Sequence, residues 1–108
     1  MIVAYIPDLL FGSQVVQALH GRDVRLVSSL DVLEPPELLI LDLTNDAADR
    51  IESARALGVP TLAFYLHVET DVRARAEGAG FARVVPRSRM AREGAALVDQ
   101  LLGGHLYK

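Results

Sequence analysis

The sequence predicts an α/β domain with a parallel sheet and helices on both faces, and three observations point to it. First, β-prone runs alternate with helix-periodic runs along the chain, which implies a parallel sheet with right-handed crossovers. Second, residues 38–43 (LLILDL) are apolar almost without interruption, as a central strand covered on both faces is. Third, four strand-like runs end on a polar or charged residue: IVAYI before Asp8, LLIL before Asp42, TLAFYL before His67 and VV before Arg87. In a parallel sheet those carboxyl ends open at one edge, where open α/β folds bind ligands and do chemistry.

Each element has a local reason. Residues 2–6 are β-prone and Pro7 and Asp8 end the run. Residues 9–20 form a helix with an inner stripe of Leu9, Val15, Val16 and Leu19. Gly12 weakens its first turn, and Gly21 suits its end. Residues 24–28 alternate as a second strand. Residues 29–33 (SLDVL) allow a short helix before Pro35 and Pro36 stop it. Asp46 is positioned to cap a helix over 47–57 that buries Ala47, Ile51, Ala54 and Leu57 and ends at Gly58. Residues 60–66 are the fourth strand. Thr70 caps a helix from Asp71 to about Glu77, whose Arg73, Arg75 and Glu77 read as a solvated face. Residues 82–85 are a short fifth strand. Ser88 caps a last helix with Met90, Leu97, Val98, Leu101 and Leu102 inward, and Gly103 and Gly104 end it. Residues 103–108 are expected to be a flexible tail.

Composition bounds the function. The 108 residues suit a single domain, 1–108, and 51% are hydrophobic, enough for one core. A net charge of -3 argues against a non-specific nucleic-acid binder. The absence of Cys excludes disulfides, thiolate metal sites and thiol catalysis. No apolar run approaches the ~20 residues of a membrane helix. The start, MIVAYIPDLL, has no basic leader. A cytoplasmic location is therefore expected, with no membrane contact.

In its order of elements the chain resembles a response-regulator receiver domain, which implies a flavodoxin-like sheet of order 2-1-3-4-5. The resemblance spans nearly the whole chain. ELLILDL sets Asp42 where receivers carry the phosphoryl-accepting aspartate. GVPTLAFY, residues 58–65, resembles the entry to the fourth strand, and GAGFARVVPRS, residues 78–88, the stretch leading to the receiver lysine. The departures matter as much. Receivers end the first strand on an acidic pair that helps hold Mg²⁺; here Ile6-Pro7-Asp8 leaves one carboxylate. A receiver Thr or Ser at the fourth strand end is replaced by Tyr65 or Leu66, with His67 beyond. The lysine is replaced by Arg87, followed by Ser88, and the usual proline a few residues past the acceptor by Asp46.

Aspartyl phosphorylation needs a carboxylate nucleophile, a divalent cation and a fixed cation for the transferred oxygens. Asp42 can be the first and Arg87 the last. Asp8, Asp42 and a carbonyl near Thr44 can bind Mg²⁺. Arg is bulkier and more directional than Lys and does not fit the same pocket unchanged. Other readings compete. Asp42 can simply pair with Arg87. Asp8 reads first as the N-cap of the first helix. His67 is a loop residue or a donor to Asp42, and Ser88 an N-cap beside an anion-attracting helix start. Tyr65 is expected to pack, and Thr44 and Asn45 are loop residues able to enter the cleft.

Three functions follow in order. The first is a stand-alone, atypical receiver-like regulatory module that is not phosphorylated in the usual way. It would act through a protein partner or self-association. The resemblance places its contact face on the fourth helix, fifth strand and fifth helix. Met90, Ala91, Ala95 and Val98 cannot share one narrow stripe, so apolar surface is expected to remain. Its alternatives are an active phospho-acceptor at Asp42, and a small-anion or metal-ion binder in the strand-end cleft. An enzyme ranks last, because no Ser-His-Asp order, His-x-x-x-His pair or close Glu pair is present. No GxGxxG or GxxxxGK[ST] follows the first strand, which disfavours nucleotide or flavin binding.

Overall fold

The structure, a computed structural model, describes residues 1–31 and 34–103. Strand β1 (Ile2–Tyr5) leads to helix α1 (Leu9–Ala18), then β2 (Val24–Val27) and β3 (Leu38–Asp42). Helix α2 (Ala47–Leu57), β4 (Thr61–Tyr65), α3 (Thr70–Gly78), β5 (Arg83–Pro86) and α4 (Arg87–Leu102) follow. The five strands are all parallel, in the order β2-β1-β3-β4-β5. This is the flavodoxin-like order that the receiver resemblance implies.

Alternation along the strands divides the core. Ile2, Ala4, Leu38, Ile40, Leu62 and Phe64 pack with Phe11 and Val15 of α1, with Leu19 at its C-cap, and with Met90, Leu97 and Val98 of α4. Val3, Leu39, Leu41, Ala63 and Tyr65 pack with Ile51 and Ala54 of α2 and Val72 and Ala76 of α3. Successive side chains point to opposite faces, so a strand serving both layers must be apolar at every position. β3 is buried throughout, which accounts for the unbroken apolar run. Tyr65 packs as expected.

Several details differ from the sequence expectation. Residues 29–31 are not helical, and residues 32 and 33 of the expected short helix lie outside the described residues. The path from β2 to β3 therefore does not begin as a helix. Leu9 is 74% exposed; Phe11, Val15 and Leu19 carry the inner stripe instead. Helix α1 begins directly after Asp8, so its four-residue spacing selects positions 11, 15 and 19. Ser88 is not an N-cap: α4 starts at Arg87, with Pro86 in the cap position. Thr70 is the first residue of α3, with Glu69 before it. Gly58 and Gly103 end α2 and α4 with positive φ, as C-terminal glycines do. The tail at 104–108, with Gly104, lies outside the described residues. Of the four apolar residues in question on α4, Met90 and Val98 are buried, Ala95 is half-buried and Ala91 is exposed.

Candidate functional site

Strand register fixes the depth of each candidate residue. Tyr5 pairs with Leu41, Asp42 with Phe64, and Tyr65 with Pro86. Extending that register puts Asp8, Thr44, Leu66 and Arg87 at one level of the carboxyl edge. Asp42 stands two residues further back, at the end of β3.

The carboxylate of Asp42 is held by its own loop. The Thr44 N–H donates to Oδ1 at 2.8 Å, and the Thr44 hydroxyl donates to the same oxygen at 2.5 Å. The residue is only 4% exposed. Its backbone carbonyl accepts from Nη1 of Arg50 at 2.9 Å. Arg50 is itself buried, 8% exposed, and its guanidinium lies 5.0 Å from the centre of the Tyr5 ring. Its Nη2 is 4.0 Å from Asp46 Oδ2. The Asp42 strand end is thus fastened by Thr44 from its loop and by Arg50 from α2.

Asp46 explains why the loop lacks a proline. Its φ is +50°, in the left-handed region, which proline cannot enter because its ring fixes φ near −65°. A short polar residue such as Asp tolerates that conformation better than most. Asp46 precedes α2 as expected, but its side chain makes no capping hydrogen bond.

Asp8 and Arg87 meet across the edge. Oδ1 of Asp8 accepts the Phe11 N–H at 3.1 Å and caps α1, as expected. Oδ2 accepts from Nη2 of Arg87 at 3.5 Å. The Arg87 guanidinium also lies over the Phe11 ring, 4.0 Å from its centre, and Phe11 meets Phe64 edge-on at 5.2 Å. Arg87 therefore pairs with Asp8, and among the described residues no ion pair joins it to Asp42. His67 is exposed in the turn after β4 and makes no hydrogen bond to Asp42 among the described residues. Ser88 is exposed in the first turn of α4.

The donor set does not fit Mg²⁺ as arranged. Both oxygens of Asp8 are engaged, and a fixed guanidinium beside it opposes a second positive charge. One oxygen of Asp42 holds Thr44. Among the described residues no three His, Asp or Glu side chains converge as a metal group would.

Sequence reasoning missed Arg50 and the aromatic support of Arg87. Arg50 had a signal: it lies three residues after Ala47 and four before Ala54, on the inward side of α2. Glu69 was also missed. Its Oε1 is buried with no hydrogen-bond partner among the described residues. Arg73 and Glu77 behave as a solvated pair, Nε to Oε2 at 3.3 Å, and that hydrogen bond raises the Arg73 guanidinium above its ordinary value.

Two solved structures share this architecture. A response regulator receiver protein from Burkholderia phymatum superposes with a TM-score of 0.75 at 22% identity, covering 94% of each chain. A response regulator from Thermotoga maritima gives a TM-score of 0.74 at 10% identity, over 95% of this chain and 97% of that one. No family model and no curated protein matches the chain. The likeness is one of fold: the chain shares the fold of these two receiver structures.

Proposed function

We propose that this chain is a non-enzymatic, receiver-like regulatory module that works through protein contacts without conventional phosphorylation at Asp42. The receiver fold supports a signalling role. One observation carries the atypical part: Asp42 is nearly buried and already hydrogen-bonded to Thr44, while Arg87 is committed to Asp8 and Phe11. An in-line attack needs an open carboxylate oxygen and a cation directed at the transferred group. Here one oxygen of Asp42 is tied to its own loop, and the cation that would meet the transferred group lies over α1 instead. The acidic pair is reduced to Asp8, which serves as a helix cap.

The face built by α3, β5 and α4 is the expected contact surface for a protein partner. The test at Asp42 is direct. The protein is incubated with acetyl phosphate, or with beryllofluoride, in the presence of Mg²⁺, and followed by intact mass and amide NMR. Asp42→Asn is the control. No adduct and no shifted resonances are expected. An adduct, or a set of shifted resonances, that disappears in Asp42→Asn would replace this reading with that of an active phospho-acceptor.

A further inference from the structure

Helix α1 differs from the other helices in carrying no ionisable residue. Its sequence, LLFGSQVVQA, contains no Asp, Glu, Lys, Arg or His, whereas α2, α3 and α4 each carry several charges. Yet much of α1 is at the surface. Leu9 and Leu10 are 74% and 72% exposed, and Gln14 and Ala18 are exposed below them. The core does not require these leucines, because Phe11, Val15 and Leu19 already fill the inner stripe. An uncharged exposed helix with two open leucines is composed like the centre of an interface, where charge is depleted.

We propose that a second copy of this chain covers α1, through a two-fold, antiparallel α1–α1 contact centred on Gln14. The inference is independent of what Asp42 does. A two-fold axis sets a surface against itself, so any charge near it meets its own copy. Among the described helices, α1 alone avoids that repulsion. Leu10, Gln14 and Ala18 are spaced by four and form one ridge. Antiparallel apposition about Gln14 puts Leu10 opposite Ala18 of the second copy, and the reverse, so large meets small twice. The two Gln14 amides face each other, and each has both donors and an acceptor.

The neighbourhood fits the same arrangement. A crevice of about 40 Å³ between α1 and α4, lined by Val15, Ala18, Met90 and Gly94 among others, leaves room for the tip of a facing leucine. The seam is bounded by two ion pairs: Asp8–Arg87 at 3.5 Å and Arg22–Asp99 at 2.9 Å. Antiparallel pairing brings the Asp8–Arg87 pair of one copy to the Arg22–Asp99 pair of the other; each is neutral in sum, so neither end of the seam sets like net charges together. The two helix dipoles also oppose each other favourably. A ten-residue helix spans roughly 15 Å. Such a contact falls below the ~1,200 Å² of a standard interface, so the dimer is weak and reversible.

The test is sedimentation equilibrium of the full chain from micromolar to millimolar concentration, with circular dichroism confirming each variant's fold. The wild type is expected to rise toward twice the monomer mass. Gln14→Glu and Gln14→Lys each place like charges across the axis and are expected to weaken association by roughly tenfold or more. An equimolar mixture of the two is expected to regain it as a heterodimer. Leu10→Ala, also at an exposed position, is expected to weaken association without a new charge. A wild type that stays monomeric throughout, variants that associate like the wild type, or a mixture that remains monomeric would each overturn the proposal.

Discussion

Asp8 serves two partners with its two oxygens, and these contributions are unequal. The cap on the Phe11 N–H satisfies a backbone donor at the start of α1. The contact with Arg87 joins side chains that are 53% and 40% exposed; bridges of that kind contribute about 0–1 kcal/mol. Asn caps a helix about as well as Asp. Asp8→Asn is therefore expected to change stability by less than about 0.5 kcal/mol, and Asp8→Ala to cost about 1 kcal/mol. Urea unfolding midpoints at constant m-value measure both. Equal losses in the two variants would mean that the ion pair, and not the cap, fixes the start of α1. At the neighbouring strand end, Arg50 matters for a different reason. Its guanidinium satisfies the buried carbonyl of Asp42 and covers Tyr5, two contacts that lysine does not reproduce with one compact charge.

Two helical glycines separate intrinsic propensity from packing. Replacing Gly by Ala inside a helix gains up to about 1 kcal/mol where there is space. At Gly94 an added Cβ would meet Cε of Met90 at 3.3 Å, the mobile end of a thioether chain. At Gly12 it would meet both Leu26 methyls at 3.0 Å and the Ile6 carbonyl oxygen, which is backbone, at 3.3 Å. Gly94→Ala is expected to raise Tm by a few degrees, and Gly12→Ala to lower it. Thermal unfolding of the two variants decides it; a rise at both positions would show that β1 and β2 yield to α1 more easily than the contacts imply. Gly12 thus sets how closely α1 approaches β2, and α1 in turn carries both the Asp8 cap and the exposed leucine face.

Across the whole molecule, burial is greatest at the centre of the sheet and least at β2. β3 and β4 are buried at every residue. β2 is an edge strand, half-buried or exposed at all four positions, and residues 29–31 after it form no helix over it. Opening free energy follows burial and protection of the backbone. Native-state hydrogen exchange is expected to show the slowest amides in β3 and β4, near the global limit, and the fastest strand amides in β2. Equal protection of β2 would indicate that the β2–β3 connection shields the edge. The split core gives the molecule two layers, α1 with α4 on one face and α2 with α3 on the other. The α1–α4 layer carries Asp8, Arg87 and the uncharged helix face.

The parallel sheet, its helices and their approximate ends were legible because apolar period and glycine or proline punctuation are local properties of the chain. LLILDL could be read as a central strand because covering both faces requires apolar residues at every position. The resemblance of three stretches to receivers implied the strand order, and register then placed Asp8, Thr44 and Arg87 at one level. Charge pairing was not legible. Sequence offered Asp42 as the partner of Arg87, whereas packing against Phe11 puts the guanidinium beside Asp8. Arg50 entered the site because the pitch of α2 aims position 50 at the end of β3. The left-handed turn at Asp46 likewise came from the route of the backbone. Local pattern determined which elements form, while the partners of each charge at the edge were decided by tertiary packing, because side chains far apart in sequence compete there for the same few positions.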